Sequence, residues 1–179
     1  MGKLLALLAL VGTVCLSCRK EDKEEPQNTG EVTLSSERLQ SPTGWDFYGF
    51  SFETGKISVY TITSSLYPDL AVEDVELIDS VNIDLRSSND QDAFYRNGTF
   101  TTAAEAESYF NDYVEVTATG FVPIAYSIRE NQVWTVQTLS KRFAKIWIKK
   151  IDVVAGSQSE YANVTFEYSY QPNGSKIFD

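Results

Sequence analysis

The sequence predicts a mostly β, β-rich α+β domain: an antiparallel sheet or sandwich, one helix packed on it, and a β-meander at the C-terminus. Three observations carry this. The C-terminal third alternates apolar and polar residues with the period of a strand, most clearly at Ala162, Val164, Phe166, Tyr168 and Tyr170. Glycine turns separate short aromatic and β-branched runs earlier in the chain, as at Thr54-Gly55. Only one stretch, Thr102 to Tyr113, has helical spacing behind a capping signal.

In chain order, Phe47 to Phe52 and Ile57 to Ile62 flank Thr54-Gly55 and read as a hairpin. Tyr67-Pro68-Asp69 is a loop, followed by extended runs at Val75 to Ile78 and Val81 to Leu85. The polar stretch from Arg86 to Asp92 interrupts the pattern. Thr102 and Glu105 then stand at capping-box spacing, and Ala103, Ala106, Tyr109, Phe110 and Tyr113 form an apolar stripe, so a helix is expected over 103–112. Val114 to Val116 and Phe121 to Ile128 look extended. Strands at Gln132 to Thr138, Phe143 to Ile151 and Tyr161 to Gln171 complete the meander. A one-residue slip of the last strand would turn its whole apolar set outward, so its register is well specified.

The first 25 residues concern address rather than fold. Lys3 precedes an apolar run from Leu4 to Val14, too short to cross ~30 Å of hydrocarbon at ~1.5 Å per residue. A short apolar core behind a positive charge is a secretory signal. Ser17-Cys18 fits the end of a bacterial lipobox, in which the cysteine is acylated and becomes the first mature residue. Residues 1–17 are therefore expected to be a lipoprotein signal peptide, with Cys18 the lipidation site. Residues 18–31 are expected to be a flexible tether, and 32–179 a single domain. The run Arg19-Lys20-Glu21-Asp22-Lys23-Glu24-Glu25 resembles the surface-export signal of Bacteroidetes lipoproteins, and equally suits a solvated spacer. Several acyl chains, each methylene contributing ~0.8 kcal/mol, hold such a domain on a membrane almost permanently.

Composition excludes much. The chain has 179 residues, no histidine, two cysteines (Cys15 and Cys18) and Met1 as its only methionine. The domain thus has no disulfide, no thiolate zinc site, no cysteine nucleophile and no imidazole base. A net charge of −10 argues against nucleic acid as a partner. Asp69, Glu73, Asp74, Glu76, Asp79, Asp84, Asp90 and Asp92 crowd one region, while Lys141, Arg142, Lys145, Lys149 and Lys150 crowd another. These read as two solvated faces or as a ligand field. The acids lack the Asp-x-Asp-x-Asp-Gly order of a calcium loop. Asp79-Ser80-Val81 has the three-residue form of a Bacteroidetes O-glycosylation site. No phosphate-binding glycine loop, nucleophile elbow or metal cluster is present, and the chain is expected to be a non-enzyme.

Three stretches resemble the HmuY-like family of Bacteroidetes lipoproteins: Phe50-Ser51-Phe52-Glu53-Thr54-Gly55-Lys56, Phe143-Ala144-Lys145-Ile146, and Tyr168-Ser169-Tyr170-Gln171-Pro172-Asn173-Gly174-Ser175. Trp45-Asp46-Phe47 and Pro68-Asp69-Leu70-Ala71-Val72 each match part of a further family strand. The resemblance implies a β-rich fold with a hand-like cleft at the end of the sheet. It also implies a surface lipoprotein that takes up haem and passes it to an outer-membrane TonB-dependent receptor. The family holds iron through paired histidines or methionines, and this chain supplies neither, so no ligand position transfers and no cofactor is expected. Haem would need tyrosine or lysine, and nothing in spacing selects Tyr95, Tyr109, Tyr126 or Tyr161. The remaining candidate is a platform of Lys145, Trp147 and Lys149, which share a strand face with Phe143. That face either stays open to stack a planar or sugar-like ligand or packs beneath the helix. The rival functional reading is a structural or adhesive surface lipoprotein with no small-molecule site.

Overall fold

The computed structural model describes residues 28–42, 44–61, 68–77, 80–155 and 159–178. Cys18, the leader, most of the tether and Asp79 lie outside the described residues. Two antiparallel sheets face each other, and one helix covers the back of the first. Sheet A comprises β1 (Thr29–Ser35), β7 (Phe94–Thr99), β9 (Gln132–Gln137), β10 (Phe143–Ala155) and β11 (Glu160–Gln171), in the order β1-β11-β10-β9-β7. Sheet B comprises β2 (Leu39–Ser41), β3 (Gly44–Ser51), β4 (Lys56–Thr61), β5 (Leu70–Leu77), β6 (Ser80–Ser87) and β8 (Ile124–Ala125). Its order is β2-β3-β5-β6-β8, with β4 paired to β3. The β-rich expectation holds.

The core lies between the sheets. From sheet A it takes Leu34, Phe94, Trp134, Val136, Ala144, Ile146, Ile148, Val164 and Phe166, and from sheet B Phe50, Leu70, Val72, Ile83 and Leu85. On β11 the alternating set Ala162, Val164, Phe166, Tyr168 and Tyr170 is buried as a unit, which fixes the register Ile146↔Tyr168 and Val32↔Phe166. Rings of Phe50, Phe52 and Tyr168 meet edge-on or tilted at 5.1–5.6 Å, a preferred aromatic geometry.

The helix α1 (Ala103–Asp112) forms where expected. The Thr102 hydroxyl accepts from Glu105 N, and the Glu105 carboxylate accepts from Thr102 N, a complete capping box. Ala106 and Phe110 press on Val133 and Trp147, on the outer face of sheet A.

Three boundaries differ from the sequence reading. Strand β1 begins at Thr29, before the expected domain start at Val32, because Gly30 lies against the Tyr168 ring and Glu31 pairs across to Glu167. Main-chain pairing orders residues there that carry no apolar signal. Strand β5 begins at Leu70 and β6 continues through Ser87, so part of the polar stretch is strand before a 3-10 turn at Ser88–Asp90. The segment from Phe121 to Ile128 contributes only the two residues of β8.

Candidate functional site

The pairing of β3 opens a cleft in sheet B. Strand β4 occupies one edge of β3 from Asp46 to Ser51. Strands β2 and β5 must therefore share the other edge, β2 at Gly44 to Asp46 and β5 at only Gly49 and Phe50. Phe47 and Tyr48 sit in the gap between them. Past Ala71, β5 diverges from β3 while staying paired to β6. Pro68 holds the joint: a Cβ on Gly49 would lie 2.2 Å from Pro68 Cγ, so only glycine admits the ring.

The resulting cleft has a volume of about 400 Å³, within the usual range for small-molecule sites. Phe47 and Tyr60, a cross-strand pair with ring centroids 6.0 Å apart, line it together with Ala71 and Val72. Its charged lining is Arg38, Glu73, Asp74, Arg86 and Asp90. Arg86 Nε donates to Glu73 at 2.8 Å and its Nη1 to Asp90 at 3.4 Å. Burial, with the Glu73 charge nearby, raises the Tyr60 hydroxyl above its ordinary pKa, so the phenol stays protonated. An adjoining depression shares Ser36, Arg38 and Asp74 and adds Trp45 and Tyr161.

The crowded acids divide by partner and do not form one solvated face. Asp69, Asp74 and Asp84 are buried. Asp69 accepts from Phe52 N at 2.8 Å and from Leu139 N at 3.0 Å, clipping the β3–β4 hairpin of sheet B to the β9–β10 turn of sheet A. Asp84 accepts from Ser127 N at 2.7 Å. Nearby, Arg142 donates to Glu53 and to the Tyr170 hydroxyl. The segments around Phe52, Phe143 and Tyr170, which carry the family resemblance, thus meet at one end of the sandwich.

Lys145, Trp147 and Lys149 do share a face, and α1 covers it. Trp147 is 4% and Lys145 6% exposed. Of the two readings of this face, packing beneath the helix holds and the open platform does not, because Phe110 and Ala106 occupy the space above the indole. Lys145 Nζ donates to Phe110 O at 2.6 Å and Tyr113 O at 2.9 Å, two carbonyls at the C-terminal end of α1. It also sits over the Phe110 and Phe178 rings. Ammonium donors at that end complement the helix dipole as well as the orphan carbonyls. Burial lowers the Lys145 pKa, opposed by the Asp112 and Glu167 charges. Lys149, at the β-bulge of β10, lies over the Trp147 ring and donates to Glu31 and Glu167.

The tyrosines are not brought together. Tyr95 lies against Phe121, Tyr109 stacks on Tyr113 in α1, Tyr126 is 66% exposed, and Tyr161 borders the depression. Sequence reasoning missed the cleft residues Arg38, Phe47, Tyr60 and Asp74. One signal was there to be read: Asp74 continues the apolar alternation of Leu70 and Val72, a carboxylate where the pattern calls for a core residue. No family model matches the chain, and no curated protein proves similar to it.

Proposed function

We propose that the chain is an outer-membrane, surface-displayed lipoprotein, acylated at Cys18, whose sandwich binds a small ligand in the cleft between β3 and β5. It acts as a capture or receptor-accessory module and performs no catalysis. The observation that carries this reading is the cleft itself. Strand divergence leaves about 400 Å³ lined by two aromatic rings, two small apolar residues and a set of charges, the usual mixture for recognition. The HmuY-like resemblance and the lipobox supply the setting, including a TonB-dependent receptor as the partner that would accept the ligand. Haem is the less favoured cargo. Among the described residues the cleft offers Tyr60 as its one phenol, and burial keeps that group protonated rather than poised as a phenolate.

Two experiments test the reading. A Cys18→Ala variant should leave the membrane fraction, and its retention there would remove the anchor from the proposal. Purified full-length protein, exposed to cell extract and examined by native mass spectrometry, should retain a small molecule that an Ala71→Trp variant, with the cleft filled, does not. Hemin titration belongs in the same series, read at the Soret band. The rival reading, a structural or adhesive lipoprotein, draws on the burial of Trp134 and Trp147. It takes over if nothing is retained, or if Ala71→Trp retains the same molecule.

A further inference from the structure

Among the described residues of the cleft, Asp74 is the buried charge that no neighbour pairs. It follows Leu70 and Val72 on the inward face of β5 and is 8% exposed. The other buried aspartates each accept main-chain hydrogen bonds, Asp69 from Phe52 and Leu139 and Asp84 from Ser127. Among the described residues, no hydrogen bond or ion pair involves Asp74. Its oxygens are not sealed from solvent but open onto the cleft, and a carboxylate set this deep without a partner is placed to receive a cation. The cations of the cleft do not fill this role. Arg86 is already held between Glu73 and Asp90. Arg38 borders the cleft as an exposed side chain, and no ion pair within 4.0 Å joins it to Asp74.

An organic cation suits this position better than a divalent metal. A hard divalent ion takes six or more oxygen ligands, and the described residues bring together no group of three His, Cys, Asp or Glu fit to hold one. Alongside its polar groups, the cleft is lined by Phe47, Tyr60, Ala71 and Val72. Rings of this kind favour a cation that carries an apolar body. We propose that the cleft takes a small organic ammonium ion, its N–H groups donated to the Asp74 carboxylate and its apolar body set among Phe47, Ala71 and Val72. This rests on the ligand-binding reading of the cleft and gives it a chemical class.

The test is calorimetric titration of the full-length protein in detergent with phenethylammonium, and with phenethyl alcohol, 3-phenylpropionate and calcium chloride as neutral, anionic and metal counterparts. Phenethylammonium should bind saturably at millimolar concentration while the other three do not. Asp74→Asn should weaken it about tenfold or more, the loss expected when a charged hydrogen bond is removed. Should that variant fold poorly, the Asp74 carboxyl carbon signal of the ¹³C-labelled natural protein provides a second reading, and it should shift with the same saturation curve. Equal binding of the alcohol, binding of calcium instead, an unmoved carboxyl signal, an unaffected Asp74→Asn variant, or no ammonium binding overturns the proposal. A neutral or anionic molecule retained from cell extract and lost in Ala71→Trp would then leave the cleft a ligand site of another class. No retained molecule at all removes both readings.

Discussion

Replacing Asp69 tests whether one buried carboxylate joins the two sheets. Its two oxygens accept from Phe52 N at 2.8 Å and Leu139 N at 3.0 Å, and the residue is 7% exposed. In Asp69→Ala both N–H groups lose their acceptor at a site closed to bulk water. At about 1–3 kcal/mol for each orphaned group, offset in part by release of the buried charge, the expected cost is about 2–5 kcal/mol. Asp69→Asn keeps one carbonyl oxygen and turns an NH2 toward the other donor, so it should lose about 1–3 kcal/mol. Burial raises the folded-state pKa of Asp69 above the ordinary carboxyl value of 3.8, against the opposing pull of its hydrogen bonds. Between 3.8 and that raised value the native state holds more protons than the unfolded state. The Asp69 contribution is therefore most favourable in acid and declines as pH rises through the folded pKa. Urea titrations across this range read both effects: Ala should be less stable than Asn, and both should lack the Asp69 part of the slope. If Asn and Ala lose equally, or if both match the natural protein near pH 7, the clip contributes nothing and the reasoning fails.

Three further outcomes follow from neighbouring geometry. Lys145→Met strips the donor from Phe110 O and Tyr113 O and should cost about 1–4 kcal/mol after the released desolvation is subtracted, measured by urea unfolding. Because the Lys145 pKa is lowered, the unfolded state holds more protons between the folded value and 10.5. Stability from this group therefore rises with pH through that window, and Lys145→Met should lack the rise. Trp147→Ala should cost about 3–5 kcal/mol as a core truncation, while Trp147→Phe should cost much less, since the indole N–H is buried without a partner; equal losses in thermal melts would contradict this. Gly49→Ala drives a Cβ into the rigid Pro68 ring and should lower stability by about 1–3 kcal/mol, with the cleft residue Tyr60 shifting in NMR spectra.

Legibility followed the locality of the cause. The α1 limits could be read because the capping box of Thr102 and Glu105 and the stripe through Phe110 are set within a few turns of chain. The β11 register could be read because every second residue is apolar and a slip exposes them all. What escaped depends on residues far apart in sequence. The cleft exists because β5 leaves β3 after Ala71, and no composition signal marks where two strands part. Trp147 could be placed on a face with Lys145 from period alone. Which layer covers that face depends on α1 folding back from thirty and more residues away, as the contact between Phe110 and Trp147 records.

The place where the chain enters the fold bears on how an anchored cleft would be used. Strand β1 begins at Thr29 opposite Ser169 and ends at Ser35 opposite Asn163. Ser36 extends the pairing by one hydrogen bond to Ala162, and Arg38 follows. At about 3.4 Å per residue, seven residues of β1 set Arg38 some 20 Å farther along the sandwich than the tether's point of entry. The Arg38 and Asp74 end therefore lies well away from the residue at which the chain enters β1. An ammonium ligand entering there would meet an exposed guanidinium first and a buried carboxylate second. Like charge at the rim slows entry, and opposite charge inside retains what enters. Arg38→Gln should therefore speed association more than it changes dissociation, which stopped-flow fluorescence of the nearby Trp45 can follow. A slower dissociation with unchanged association would place Arg38 inside the binding site instead of at its entrance.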